Sequence, residues 1–112
     1  MESPAALAES QNSPAEGAGS GERSRIRIWV VPHTHWDREW YFPFQLFRLF
    51  LVRTTDELMD VLEADPSFSS FTFDGQGIAL EDYLEIRPEA EARLARLIRR
   101  GRIRIGPSYI LP

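Results

Sequence analysis

The chain has 112 residues, 43% of them hydrophobic and 12% aromatic, with a formal net charge of −4. That balance fits a globular, mildly acidic protein and excludes a partner recognised through polyanionic charge, so nucleic acid is not expected. Cysteine is absent, which rules out disulfides and thiolate metal ligation, and no apolar run approaches the ~20 residues of a membrane span.

Residues 1–24 are mostly Ser, Ala, Gly, Pro and Glu with almost no large apolar side chain. Such a segment cannot bury enough surface to offset its ordering entropy, so a disordered tail is expected. It lacks the basic start and apolar stretch of a secretory signal, making the cytoplasm the expected location. The foldable part is expected over residues 25–112. It opens with Ile26-Arg27-Ile28-Trp29-Val30-Val31, strand formers that stop at Pro32 and predict a buried strand.

Directly after Pro32 stands His33-Thr34-His35-Trp36-Asp37-Arg38-Glu39-Trp40-Tyr41. In extended chain, positions i, i+2 and i+4 project to one side, so an imidazole and a carboxylate can converge on a single ion. On a helix, residues two apart would diverge. Imidazole nitrogen and carboxylate oxygen suit zinc and similar divalent ions, and His35 with Asp37 is the expected pair. Alternatively, His33 is a hydrogen-bonded core histidine and Asp37 caps the next helix.

Apolar residues at Phe47, Phe50, Leu51, Leu58, Val61 and Leu62 predict an amphipathic helix over Phe44–Glu63, ended by Asp65-Pro66. Phe42, Phe44 and Phe47 are expected in the core rather than as a carbohydrate platform. Phe68–Phe73 alternates aromatic with small hydroxylated residues and predicts a second strand ending at Asp74-Gly75. If the strands are parallel, Asp74 opens onto the same edge as the histidines. Asp74 and Gln76 are then candidates for substrate hydrogen bonding or for support of neighbouring groups, against simple Asp-Gly turn chemistry. Asp82, Tyr83 and Glu85 fall on a short helical stretch with structural roles.

Pro88 opens the last helix, with Glu89 and Glu91 in its first turn. Arg96, Arg99 and Arg100 complement the helix dipole ahead of a Gly101 cap, which explains the cluster better than a phosphate or nucleic-acid patch. Arg102–Ile105 starts a third strand. The order of elements predicts an α/β fold with a parallel sheet and right-handed crossovers.

The His33–Tyr41 window resembles the first signature of glycoside hydrolase family 38, the retaining α-mannosidases, in its bacterial wording. The likeness continues through Phe71–Gln76, Leu80–Glu89 and Gly101–Pro107, and covers about residues 25–112. The resemblance implies that His35 and Asp37 are two of the family's zinc ligands and that Trp40 matches the aromatic residue packing on the mannose ring. It also implies a parallel, seven-stranded (β/α) barrel-like catalytic domain, of which this chain would hold only the opening strand-helix units. The substrate would be a mannose-containing glycan or glycoside, and an oligomer is possible for the complete enzyme. Ser108 departs from the pattern, which usually has Trp there. The aspartate nucleophile, the general acid and the remaining zinc ligands are expected beyond Pro112, so the chain by itself is expected to be inactive.

Two other functions fit the same residues. His33-Thr34-His35 after a first strand is also the spacing of metal-dependent amidohydrolases and phosphoesterases, with His33 then a ligand and the metal generating a hydroxide nucleophile. The third is a non-catalytic, truncated remnant that binds a divalent ion weakly.

Overall fold

The computed structural model describes residues 25–74 and 76–110. The tail expected over residues 1–24, Gly75 and the last two residues lie outside them. Three strands form one parallel sheet in the order β1 (His33–Thr34), β2 (Phe71–Phe73), β3 (Ile103–Ile105). Between them come α1 (Phe44–Ala64), α2 (Gly77–Leu84), a 3-10 turn at Pro88–Ala90 and α3 (Glu91–Arg99). The parallel α/β arrangement read from the sequence is therefore present.

The α1 helix starts after Pro43 and stops at Asp65, whose extended backbone (φ −117°, ψ 99°) is the conformation Pro66 imposes on its predecessor. The Asp65 carboxylate accepts from the Ser67 N–H at 2.8 Å and the Ser67 hydroxyl at 2.6 Å, and these bonds hold it below the usual carboxylate range. Leu51, Val52, Met59 and Leu62 turn one face of α1 inward onto Ala79, Leu80 and Tyr83 of α2 and Leu94 and Leu97 of α3. Phe73 and Ile103 carry the same core into the sheet. Each fully buried side chain of this size contributes roughly 1.5–3 kcal/mol.

Local chemistry closes the end of α3. Gly101 takes φ 69°, and the Gly101 and Arg102 N–H groups donate to the Ile98 and Leu97 carbonyls at 2.9 Å each, the double bond of a Schellman cap. The Arg102 guanidinium then donates to the Leu62, Asp65 and Phe68 carbonyls at 2.6, 3.0 and 2.8 Å, tying the end of α1 to the approach to β2. The N-terminal donors of α2 are taken up by the segment after β3: Gly77 N–H bonds the Ser108 carbonyl at 3.3 Å and Ile78 N–H the Tyr109 carbonyl at 3.0 Å. Ser108 thus serves here through its backbone.

The first strand is not where the apolar run suggested. Ile26, Ile28, Trp29, Val30 and Val31 are 63–87% exposed, and pairing begins only at Pro32, whose carbonyl accepts the Thr72 N–H at 3.0 Å. A strand needs an extended partner, and upstream of Phe71 the neighbouring chain is occupied by the Asp65–Ser67 turn and by the Arg102 bonds. Strand propensity without a partner leaves the run extended and uncovered. For the same reason β2 starts at Phe71 rather than Phe68.

A network of ion pairs joins α1 to α3. Arg93 binds Asp60 at 2.6 Å and Glu63 at 2.7 Å, and Arg96 binds Glu63 at 2.7 Å. Arg96 therefore does more than complement its own helix dipole. Hydrogen bonds from Arg93 and then Arg96 lower Glu63 to about 2, from an ordinary 4.5. A depressed carboxylate stabilises the fold above its unfolded pKa, and that stabilisation fades as pH falls from about 4.5 towards 2. Because the Glu63 side chain is 34% exposed, the effect is expected near 1 kcal/mol rather than the full linkage value. Thermal unfolding of wild type and Glu63→Gln between pH 6 and 2 should show a gap of about 4–8 °C that closes at the acid end. A gap independent of pH would refute the assignment.

Candidate functional site

The candidate site is built on a parallel ladder that outlasts its second strand. The Pro32 and Thr34 carbonyls accept the Thr72 and Asp74 N–H groups at 3.0 and 2.9 Å. Among the described residues, no backbone donor continues the ladder beyond Asp74. The next carbonyl, Trp36, is met instead by the side-chain amide of Gln76, which donates at 2.8 Å and accepts the Trp36 N–H at 2.5 Å. Gln76 is 3% exposed, and both halves of its amide are engaged. Of the two roles open to Gln76, these bonds fit support of its neighbours.

Two residues on, Arg38 is held from the same helix. Its guanidinium forks onto Asp82 at 2.7 and 2.9 Å and lies 4.9 Å over the Phe44 ring. Asp82 hydrogen bonding, reinforced by its charge, raises the Arg38 pKa further, so the group is charged at every relevant pH. Arg48 donates to the Asp82 carbonyl at 3.0 Å and pairs with Glu85. The structural roles expected for Asp82 and Glu85 hold, and so does that of Tyr83, whose hydroxyl donates to Asp56 at 2.7 Å. The Arg38–Asp82 fork was not visible in the sequence, where only the position of Arg38 on the inward parity of the window marked it.

With Thr34, Trp36 and Arg38 turned inward, His33, His35 and Asp37 are the exposed members of an alternating segment. His35 Nε2 stands 3.7 Å from Asp37 Oδ1, with both side chains nearly half exposed. This exceeds a hydrogen bond. It does fit two ligands of one ion, since donors each ~2.1 Å from a metal stand at most ~4.2 Å apart. Asp37 caps no helix, because α1 begins only at Phe44.

His33 is directed elsewhere: its Nδ1 lies 3.7 Å from Asp74 Oδ2, and it is not a core histidine. Asp74 is half exposed at the end of β2, beside the end of β1, as the parallel sheet requires. Among the described residues no three His, Asp or Glu side chains converge as a metal-binding group. The His35–Asp37 pair would supply two of the four donors of a tetrahedral site.

Trp40 is 74% exposed, with its ring 5.4 Å from Tyr41. Phe42 and Phe47 are not buried in the core but join Tyr41 and Phe50 in a part-exposed aromatic cluster, while Phe44 lies under Arg38 and Arg48. Periodicity placed Phe44, Phe47 and Phe50 on the helix correctly but did not show that the core is made by the adjacent face. A cavity of about 490 Å³ runs beside the pair, lined by Trp36, Asp37, Arg38, Glu39, Phe44, Gln76 and Ile110.

The arrangement has clear relatives. The sequence is 52% identical over 82 residues to a putative mannosylglycerate hydrolase of Halalkalibacterium halodurans, covering 73% of this chain and 9% of that protein. An alpha-mannosidase from Enterococcus faecalis V583 superimposes with a TM-score of 0.70 at 46% identity, over 72% of this chain and 9% of that one. A second Enterococcus faecalis structure, a protein in the glycosyl hydrolase family 38, gives 0.67 at 40% identity, over 74% and 10%. The chain thus spans about a tenth of the length of the proteins it matches. The family described as Glycosyl hydrolases family 38 N-terminal domain matches residues 25–111, and this chain belongs to that family.

Proposed function

We propose that this segment supplies the opening part of an α-mannosidase, a metal-dependent enzyme that hydrolyses terminal α-mannosides with retention. The observation that carries the proposal is the His35–Asp37 pair, two ligand atoms 3.7 Å apart on the exposed side of a pinned, extended segment. Family membership and the names of the relatives support the substrate class. The parallel order β1-β2-β3 is consistent with the start of a seven-stranded barrel-like domain.

His35 and Asp37 would hold the ion, and their nitrogen and oxygen donors suit zinc. When bound, a divalent ion at this position would polarise hydroxyl groups of the sugar. The chain's own side chains do the rest of the placing. Trp40 offers a free aromatic face to the sugar ring, and Asp74 is an exposed acceptor on the same sheet edge. Retaining hydrolysis needs a carboxylate nucleophile and a carboxylic general acid about 5–5.5 Å apart. No residue of this chain is assigned either role.

The test is product chemistry in the complete enzyme that carries this segment. An aryl α-mannoside should release α-mannose first, as followed by NMR of the anomeric proton, with loss of turnover on chelation and recovery on zinc addition. Amide or phosphoester cleavage, or turnover indifferent to chelator, would overturn the proposal. The 112-residue chain alone should show no turnover.

A further inference from the structure

We infer that Gln76 is a positioning residue for the His35–Asp37 pair, its side-chain amide acting as the missing rung of the parallel ladder. The inference rests on the pair being the metal-binding group proposed above. Among the described residues, β1 has no main-chain partner beyond Thr34, and an unpartnered segment is free to leave the extended conformation. His35 and Asp37 face the same way only while the residue between them stays extended. That residue is Trp36, and Gln76 binds both its N–H and its C=O.

The carbonyls of Pro32, Thr34 and Trp36 accept in turn from Thr72 N–H, Asp74 N–H and Gln76 Nε2, at 3.0, 2.9 and 2.8 Å. The step of two residues is kept on both sides, so the amide occupies the position a third backbone group would have taken. Among planar side-chain groups that stay uncharged across the pH range, the primary amide is the one that both donates and accepts in this geometry. A carboxylate can accept from the Trp36 N–H but would face the Trp36 carbonyl with like partial charge. Leucine can do neither. Gln76 directly precedes α2, whose Asp82 also holds Arg38, so this helix and its N-cap fix the chain at both ends of the Trp36–Arg38 stretch.

The test uses the 112-residue chain titrated with ZnCl2 while the His35 ring resonances are followed by NMR, together with hydrogen exchange at the Trp36 amide and thermal unfolding. Gln76→Leu should weaken zinc binding at His35 by about 10- to 100-fold and expose the Trp36 amide to exchange, with cooperative unfolding retained. Should Gln76→Leu fail to fold, Gln76→Glu decides when titrated at a pH that ionises its carboxyl; it then keeps one bond of the pair and should still weaken binding by about 10-fold. Zinc binding within twofold of wild type in the folded variant overturns the positioning role and leaves the metal pair standing. Because two donors bind zinc only weakly, a wild-type chain whose His35 resonances ignore zinc even at concentrations on the order of millimolar removes the metal pair itself, and the role of Gln76 with it.

Discussion

Replacing Asp37 with Ala in the complete enzyme is expected to abolish metal binding and lower kcat/KM by about three orders of magnitude or more. The side chain is 45% exposed, is not part of the core cluster and caps no helix, so its loss should leave folding intact. On the proposed metal assignment, what disappears is a charged ligand from a pair that would supply only two of four tetrahedral donors. Asp37→Asn keeps the shape and one oxygen but loses the charge, and should fall between wild type and Ala. His35→Ala should match Asp37→Ala. His33→Ala should cost much less, about tenfold at most, because its Nδ1 is turned to Asp74 rather than to the pair. Metal content by elemental analysis, measured beside kcat/KM, checks the series. A His33 variant that loses metal as completely as the Asp37 variant would move the site to His33 and His35.

The second large effect is on stability. Asp82 is 7% exposed at its side chain and receives both prongs of Arg38, which is 35% exposed. Truncation to Ala leaves the guanidinium over Phe44 without its counter-charge. Removing one partner of a fully buried pair costs about 3–5 kcal/mol. With Arg38 partly open to water, about 2–3 kcal/mol is expected for Asp82→Ala. In a domain of this size that lowers Tm by about 10 °C or more. Arg38→Met should be milder, since it removes the charge that would otherwise be stranded. The double variant should be less destabilised than the sum of the two, by a coupling of about 1–2 kcal/mol. Urea unfolding of the four proteins measures this directly, and an Asp82→Ala cost below about 0.5 kcal/mol would show that the fork does not hold the segment.

Much of this arrangement was legible in the residues. The spacing of Leu51, Leu58 and Leu62 marked α1 to within a residue of its observed span, and Asp65-Pro66 marked its end, because helix periodicity and proline stereochemistry act locally. The end of β2 and the cap at Gly101 were read for the same reason. The Ile26–Val31 run was misplaced because strand propensity describes a side chain's fitness for a sheet, whereas a strand exists only where a partner lies opposite.

The site divides in the same way. That His35 and Asp37 share a side follows from backbone alternation, which is a property of neighbours. That Gln76 holds Trp36 and Asp82 holds Arg38 depends on groups 40 and 44 residues apart in the chain. A glutamine before a short helix carries no local sign of such a partner. The Arg93 pairs with Asp60 and Glu63 were hidden for the same reason.

The alternating ladder also bears on how this region can change. Substitutions at His33, His35 or Asp37 alter only what is offered outward, and those at Trp36 or Arg38 only what grips inward. An insertion or deletion of one residue between Pro32 and Arg38 does something different, because it reverses parity. The imidazole and carboxylate would then turn toward Gln76 and Asp82, and the indole and guanidinium toward solvent. Two inserted residues would restore parity but slide Trp36 past its rung. The stretch is therefore fixed in length more strictly than in composition, and related chains are expected to vary in length outside it.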